Sequence, residues 1–320
     1  MTLLIGTDEA GYGPNLGPLV VAASVWRLAE AGDGADRLAR AAAEIGAAAG
    51  LGQPPWADSK QLYKPSGGLG AIERGVLAAL ASTARGTAPG IPADGARLAA
   101  ALGIDPPATA APAEWASFEG MTLPVAVPPR ALAALVDSVV ATLPRQGVEL
   151  VAVACRLLHP GDFNALLDAG LNKADILSRT TLALAAELRA GAPGEPAVVW
   201  CDRHGGRKSY AALVGRHFAA PLVRTLAETA THSSYETDGG SVRIEFTVGG
   251  EARVPVALAS MTAKYVRELA MAAFNAHWSA RAPGLRPTAG YPLDARRWRE
   301  DAAPALERAG IPPDAFWRRA

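Results

Sequence analysis

Apolar and polar positions along the chain fall into blocks that switch between a period near two and a period near 3.6. Residues 2–8 (TLLIGTD) form an apolar run closed by an acid, and 19–28 (LVVAASVWRL) form a second; both have the length of a buried strand. The glycine-rich AGYGPNLGP joins them, so the pair predicts a hairpin with an elaborate loop. An alanine-rich stretch to about residue 50 reads as helix. After the polar turn through Trp56-Ala57-Asp58-Ser59-Lys60, another helix is predicted near 69–83. Eight prolines (89, 92, 106, 107, 112, 124, 128 and 129) break every periodic pattern between 84 and 129, which predicts an insertion or lid, partly irregular.

Helical periodicity returns at 130–143 and 173–190, while VELVAVACRLL (148–158) and AVVWCD (197–202) predict strands, the second ending in a carboxylate. A helix-like stretch follows, and SVRIEFTVGGEARVPVAL (241–258) predicts a hairpin turning at Gly249-Gly250. The next helix carries Val266, Leu269, Ala270 and Ala273 on one buried face. Residues 290–320 mix Tyr, Trp and Arg. Strands alternating with helices after an opening hairpin predict an α/β, mixed-sheet fold, read as one domain over 1–320 with 84–129 inserted in it.

Composition narrows the function classes. Half of the 320 residues are hydrophobic and 33 glycines with 25 prolines stay below fibrous or low-complexity levels, so a mainly disordered chain is excluded. Lys+Arg and Asp+Glu both number 31, so binding to a nucleic acid has to use a local basic patch. Only five of the basic residues are lysines (60, 64, 173, 208, 264). Cys155 and Cys201 lie in strand-like runs and predict buried reduced thiols, which favours a cytoplasmic protein. The start has no signal-peptide pattern, and no apolar run reaches the length of a membrane span, so no membrane partner is expected.

Carboxylates close two of the predicted strands: Asp8 with Glu9, and Asp202. Inside a strand residues 8 and 9 point to opposite faces, so one site takes both only if the chain bends, which Gly11 and Gly13 permit. Glu268 lies on the helix side turned away from the apolar stripe. Four converging acids would repel one another unless protonated or neutralised by cations, and oxygen ligands suit Mg²⁺ or Mn²⁺. Such a site holds two ions roughly 4 Å apart, suited to hydrolysis of a phosphodiester. Each residue also has a plainer reading: a polar turn at 8–9, a solvated strand end at 202, and a surface ion pair of Glu268 with Lys264 at i, i+4.

The motifs shift the balance between these readings. Gly6-Thr7-Asp8-Glu9-Ala10-Gly11-Tyr12-Gly13-Pro14, with Gly17-Pro18-Leu19-Val20-Val21-Ala22-Ala23, resembles the opening D-E-x-G-[RK]-G-x-x-x-G-P of type 2 ribonucleases H, the ribonucleases HII and HIII. Asp58-Ser59-Lys60-Gln61-Leu62 is similar to that family's D-S-K-x-L, and Ala259-Ser260-Met261-Thr262-Ala263-Lys264-Tyr265-Val266-Arg267-Glu268 to its A-S-I-x-A-K-x-x-R-[DE]. Gly290-Tyr291, followed by Trp298, resembles its closing segment. The resemblance implies a ribonuclease-H-like mixed sheet flanked by helices. It also implies a metal-dependent endonuclease that cuts RNA in RNA–DNA hybrids or at ribonucleotides embedded in duplex DNA. It implies Asp8, Glu9, Asp202 and Glu268 as catalytic metal ligands for Mg²⁺ or Mn²⁺, and Gly11, Tyr12, Gly13, Lys60, Lys264 and Tyr291 as substrate contacts.

Three departures from the pattern bear on substrate choice, on the place of Asp202 and on the role of Tyr291. Tyr12 stands where the family has Arg or Lys in the loop whose backbone reads the ribose 2′-hydroxyl, so Tyr12 either stacks on a base or sugar or packs. Arg203-His204 replaces the usual Gly after Asp202, and Pro292 replaces the second Gly of the closing motif. Two rival readings follow: a nucleic-acid-binding protein of the same fold without catalysis, and a related nuclease acting on DNA. His204 reads as a surface histidine or a proton shuttle. Arg296-Arg297-Trp298-Arg299 and Trp317-Arg318-Arg319 read either as grips on a nucleic-acid backbone or as helix faces with arginines in water.

Overall fold

The computed structural model describes residues 1–29, 32–62, 68–83, 90–105 and 112–319, with the side chains of Lys60 and Gln61 outside that description. Among these residues the strands form one seven-stranded sheet: β1 (Thr2–Ala10), β2 (Leu19–Leu28), β3 (Val148–Leu158), β4 (Ala197–Asp202), β5 (Arg224–Glu228), β6 (His232–Thr237) and β7 (Val242–Thr247), in the order β3-β2-β1-β4-β7-β6-β5. The β1–β2 and β2–β3 pairs are antiparallel, β4 runs parallel to both β1 and β7, and β7–β6–β5 closes as an antiparallel meander. The sheet is therefore mixed, as the alternation of elements predicts.

Helices cover both faces. They are α1 (Gly34–Ala48), α2 (Ser59–Leu62), α3 (Gly70–Ala81), α4 (Gly95–Leu102), α5 (Trp115–Glu119), α6 (Pro129–Arg145), α7 (Pro160–Asp168), α8 (Lys173–Ala190), α9 (Ala211–His217), α10 (Val254–Arg281) and α11 (Pro292–Ala309). Even-numbered residues of β1 and β2, such as Leu4, Val20, Ala22 and Trp26, join a core with α1, α3, α6 and α10, and odd-numbered ones, such as Leu3, Ile5, Val21 and Val25, join a second with α8. That split is the period-two alternation of a strand read out on two buried faces. A third cluster binds Leu16 to the far half of α10 and to α11 through Phe274, Trp278 and Trp298.

The docking of α10 on β1 places the functional end of the sheet. Gly6 faces the start of that helix so closely that a Cβ there would lie 2.1 Å from the Pro255 carbonyl carbon, and Ser24 Oγ donates to the Pro255 carbonyl at 2.7 Å. Any larger residue at position 6 would push the helix off the strand.

The hairpin expected over 241–258 forms only in its first half, as β7. Gly249 adopts φ 73, a short 3-10 turn spans Gly250–Ala252, and the remainder is the first turn of α10, with Pro255 in a position where its missing N–H costs nothing. The alternating look of ARVPVAL is the buried N-terminal turn of a helix that packs on the sheet. Strands β5 and β6 fall where no strand is predicted, because β5 is a polar, exposed edge with no apolar alternation and β6, though buried, is built mostly of polar residues. The described part of 90–129 is packed into the main core through Leu98, Leu102, Phe118, Leu123 and Val127. A fully buried Glu73 accepts the amides of Val125, Ala126 and Val127 and the Tyr265 hydroxyl, tying this block to α3 and α10.

Candidate active site

Parallel pairing of β1 with β4 puts two acids side by side. Thr7 is in register with Cys201, so Asp8 and Asp202 are the next residues along adjacent parallel strands and project to the α10 face, as Gly6 and Trp200 do. Glu9 is the next residue of β1, which runs to Ala10. The bend comes at Gly11, with φ 87. Asp8 Oδ1 accepts the Glu9 backbone N–H at 2.9 Å, and both side chains line one hollow.

That hollow, of about 430 Å³, is lined by Asp8, Glu9, Ala10 and Gly11 from β1 and its turn, Ser59 from α2, Asp202 from β4, Glu251 from the 3-10 turn, Ser260, Lys264 and Arg267 from α10, and Tyr291. None of these comes from the described part of 90–129. Asp202 Oδ1 accepts the Gly250 N–H at 3.0 Å, which draws the next residue, Glu251, to the same place. Ser260 Oγ donates to Glu251 Oε1 at 3.0 Å, stands 3.0 Å from Ser59 Oγ, and lies beside the Asp8 carboxyl group.

The electrostatics are those of a crowded anionic site. Asp8 is 7% exposed, and burial, followed by the adjacent Glu9 charge, raises its pKa well above the usual carboxylate value, with Asp202 and Glu251 adding to the shift. Burial, then repulsion from Asp202, pushes Glu9 up to about 7. Such a set is relieved by protons or by a cation.

Glu268 lies on α10 next to the wall of the hollow. It pairs with Lys264, Nζ to Oε1 2.9 Å, and Arg267 Nη1 lies 3.9 Å from the same oxygen; it is not among the residues that line the hollow. Asp8, Glu9 and Asp202 of the four expected acids line the hollow, Glu268 stands one ion pair behind Lys264, and Glu251, which the sequence reading missed, lines the hollow as well. The signal was present as an acid directly after Gly249-Gly250, between a buried strand and an apolar helix. Ser59, Ser260 and Arg267 were also not singled out for roles of their own.

The expected substrate contacts divide. Gly11, Lys264 and Tyr291 line the hollow; Tyr291 is 53% exposed, with its ring 6.0 Å from the Arg267 guanidinium. Gly13 is exposed on the turn, and Tyr12 is half-buried, its ring 4.7 Å from Lys173 Nζ and packed on the second core. The Lys60 side chain lies outside the described residues. His204 is not a surface residue: it is 2% exposed, wedged between Tyr210 and Phe246, with Nδ1 3.1 Å from Ser178 Oγ, and burial holds its pKa down near 3. A neutral, enclosed imidazole of this kind packs and does not carry protons at neutral pH. Trp298 is buried in α11, so the 296–299 arginines are a helix face over an apolar stripe, while Arg318 is buried altogether. Both thiols are free and buried.

Among the described residues no three acid, imidazole or thiol side chains stand close enough to form a ready-made metal cage. The donor set nevertheless fits a hard divalent cation. It is all carboxylate and hydroxyl oxygen, and its buried acids carry mutual repulsion that an oxygen-ligated cation removes.

No protein-family profile matches the chain, and no curated protein does. Among solved structures it is similar to ribonuclease HII of Archaeoglobus fulgidus in its complex with PCNA, at 14% identity, over 99% of this chain and 94% of that one, with a TM-score of 0.46. It is similar to ribonuclease H2 of Pyrococcus horikoshii OT3 at 16%, over 98% and 92%, with a TM-score of 0.43. Bst-RNase HIII in complex with Mn²⁺ matches at 17% and a TM-score of 0.46, over 99% of this chain and 66% of that one. Ribonucleases HII and HIII are the group whose motifs the sequence resembles. At this level of superposition the residues of the hollow, and not the likeness, carry the chemistry. No helix among the described residues is long and apolar enough to cross a membrane.

Proposed function

We propose that the hollow is the hydrolytic site of a divalent-metal-dependent endonuclease of the type 2 ribonuclease H kind, acting on RNA in RNA–DNA hybrids or at ribonucleotides embedded in duplex DNA. The observation that carries this reading is the convergence of Asp8, Glu9, Asp202 and Glu251 from three separate segments on one open hollow with Lys264 and Arg267 at its wall. In this reading those four acids hold Mg²⁺ or Mn²⁺. Glu268, named by motif, instead positions Lys264 through their ion pair. When bound, the cations lower the pKa of water and neutralise charge developing on the phosphodiester.

The chain's own groups do the rest. Ser260 bridges Glu251 and Ser59 beside Asp8, which fixes the orientation of Glu251. Lys264 and Arg267 supply the local positive charge that a chain with no net charge needs for a polyanion. The Gly11–Gly13 turn lies beside the acids, where its backbone can meet the sugar of the cut strand, and the exposed Tyr291 ring offers a stacking surface at the rim.

The test is a cleavage panel of three duplexes: DNA with one ribonucleotide, a full RNA–DNA hybrid, and all-DNA, each with Mg²⁺ and with Mn²⁺. Metal-dependent cutting of the first two, abolished by Asp8→Asn or Asp202→Asn, is expected. Equal cutting of all-DNA would point to a DNA nuclease on the same site, and hybrid binding without cutting to a binding protein.

A further inference from the structure

The turn beside the acids is held in place by a residue from far along the chain. Arg318 is fully buried, and its Nη2 donates to the carbonyl of Gly11 at 2.6 Å and also to the carbonyl of Pro14. The surrounding stretch clasps the same turn. Arg318 N donates to Asn15 O at 2.8 Å, Asn15 Nδ2 donates to Arg318 O at 3.0 Å, and Leu16 bridges to Trp317. From the other side the Gly290 carbonyl accepts the amides of Asn15 and Leu16.

Two features make this more than packing. No carboxylate pairs with Arg318 among the described residues, and its Nε and Nη1 have no partner there. Burial, together with nearby Arg267, brings its pKa down to about 9, so it stays charged at neutral pH. A buried cation without a counter-charge is a costly way to brace a loop that an apolar residue could pack. Meanwhile the amides of Gly11, Tyr12 and Gly13 donate to nothing among the described residues, although the carbonyls of Gly11 and Pro14 are occupied. The guanidinium thus divides the turn into a satisfied inner side and an unused set of donors next to Asp8 and Glu9.

We propose that Arg318 is a positioning residue for substrate recognition, holding the Gly11–Gly17 turn by its carbonyls so that the amides of Gly11, Tyr12 and Gly13 are presented to the sugar of the cut strand. This deepens the nuclease reading and rests on it. Lys173, whose ammonium lies over the Tyr12 ring, braces the turn from α8.

The experiment compares the full chain with Arg318→Met and Arg318→Lys on the one-ribonucleotide and all-DNA duplexes, with Mn²⁺ affinity and hydrogen exchange of the 10–17 amides measured alongside. Arg318→Met is expected to lower kcat/KM on the ribonucleotide duplex at least tenfold and to shrink its preference over all-DNA. Exchange at 10–17 should rise, Mn²⁺ affinity should stay within twofold, and Arg318→Lys should recover part of the preference. An unchanged preference, or unchanged exchange at 10–17, overturns the assignment. If Arg318→Met does not fold, Asn15→Ala loosens the same clasp without a buried charge and must shift the preference in the same direction; no shift overturns it equally. A wild-type chain that cuts none of the duplexes would sink the nuclease reading, whereas the exchange comparison, which needs no substrate, would separately decide whether Arg318 holds the turn.

Discussion

Lys264 Nζ lies 2.9 Å from a Glu268 carboxylate oxygen, one turn along α10, so the acid named by motif is engaged by the lysine named by motif. Glu251, from the turn that precedes the same helix, lines the hollow with Asp8, Glu9 and Asp202. Under the proposed site the two glutamates are expected to have separable roles. Glu251→Gln is expected to weaken Mn²⁺ binding and cleavage by more than ~100-fold, and Glu268→Gln by about tenfold through the loss of an orienting partner. Calorimetric titration of Mn²⁺ into each variant checks this; equal losses would return Glu268 to the metal site.

The repulsion within the site should be visible as a pH-dependent instability of the metal-free chain. Glu9 titrates near 7 when folded, against 4.5 as an ordinary glutamate, and Asp8 is shifted the same way. The folded state thus binds more protons across that window, so the stability these groups contribute is complete below pH 4.5 and lost as pH rises through 7. Asp8→Asn should then raise the Tm of the metal-free protein at pH 8 by a few degrees, roughly 2–4 °C per kcal/mol of relieved repulsion. A lower Tm for Asp8→Asn would contradict the picture of crowded charges.

His204 makes the opposite prediction at the acid end. Its folded pKa is about 3 against 6.5 for a free imidazole, so the unfolded chain takes up the proton first. Stability from this residue is complete above pH 6.5 and lost as pH falls towards 3, on the order of 2–3 kcal/mol by pH 4.5. Urea unfolding at pH 7 and pH 4.5 should show a shallower pH dependence in His204→Phe than in the wild type.

Glu73 anchors a loop from inside the core. Removing its carboxylate leaves three amides and the Tyr265 hydroxyl without an acceptor, at about 1–3 kcal/mol each. Glu73→Ala is expected to lower unfolding free energy by at least ~3 kcal/mol, measured in urea, with hydrogen exchange at 125–127 raised to the level of solvent-exposed loops. Glu73→Gln, which keeps an acceptor oxygen, should cost less.

The strands β1, β2, β3 and β4 and the helix α8 stand where the apolar runs put them, because burial on one or both faces imposes a period that a single segment carries in itself. The acids at the ends of β1 and β4 were legible for the same reason: a buried strand that ends in a carboxylate announces where it leaves the core. The second strand expected after Gly249-Gly250 is instead the start of α10, since a short buried run has no period long enough to tell strand from helix until its packing partner is known. Strand β5 escaped notice because an exposed, polar edge owes its hydrogen bonds to the neighbouring strand and not to its own pattern, and β6 because most of its buried positions are filled by Ser233, Ser234 and Thr237, which carry no apolar signal.

What the sequence by itself determined is therefore the set of parts: an opening hairpin, acids at strand ends, a glycine turn, and the motifs that tie them to one chemistry. Which acids share a hollow was decided only in three dimensions. The parallel register of β1 with β4 sets Asp8 beside Asp202, the Gly250 amide bonded to Asp202 brings in Glu251, and one helical turn carries Glu268 to Lys264. Residue spacing encodes what a segment buries, whereas convergence depends on pairings between segments tens to hundreds of residues apart, as does the hold of Arg318 on the turn at Gly11.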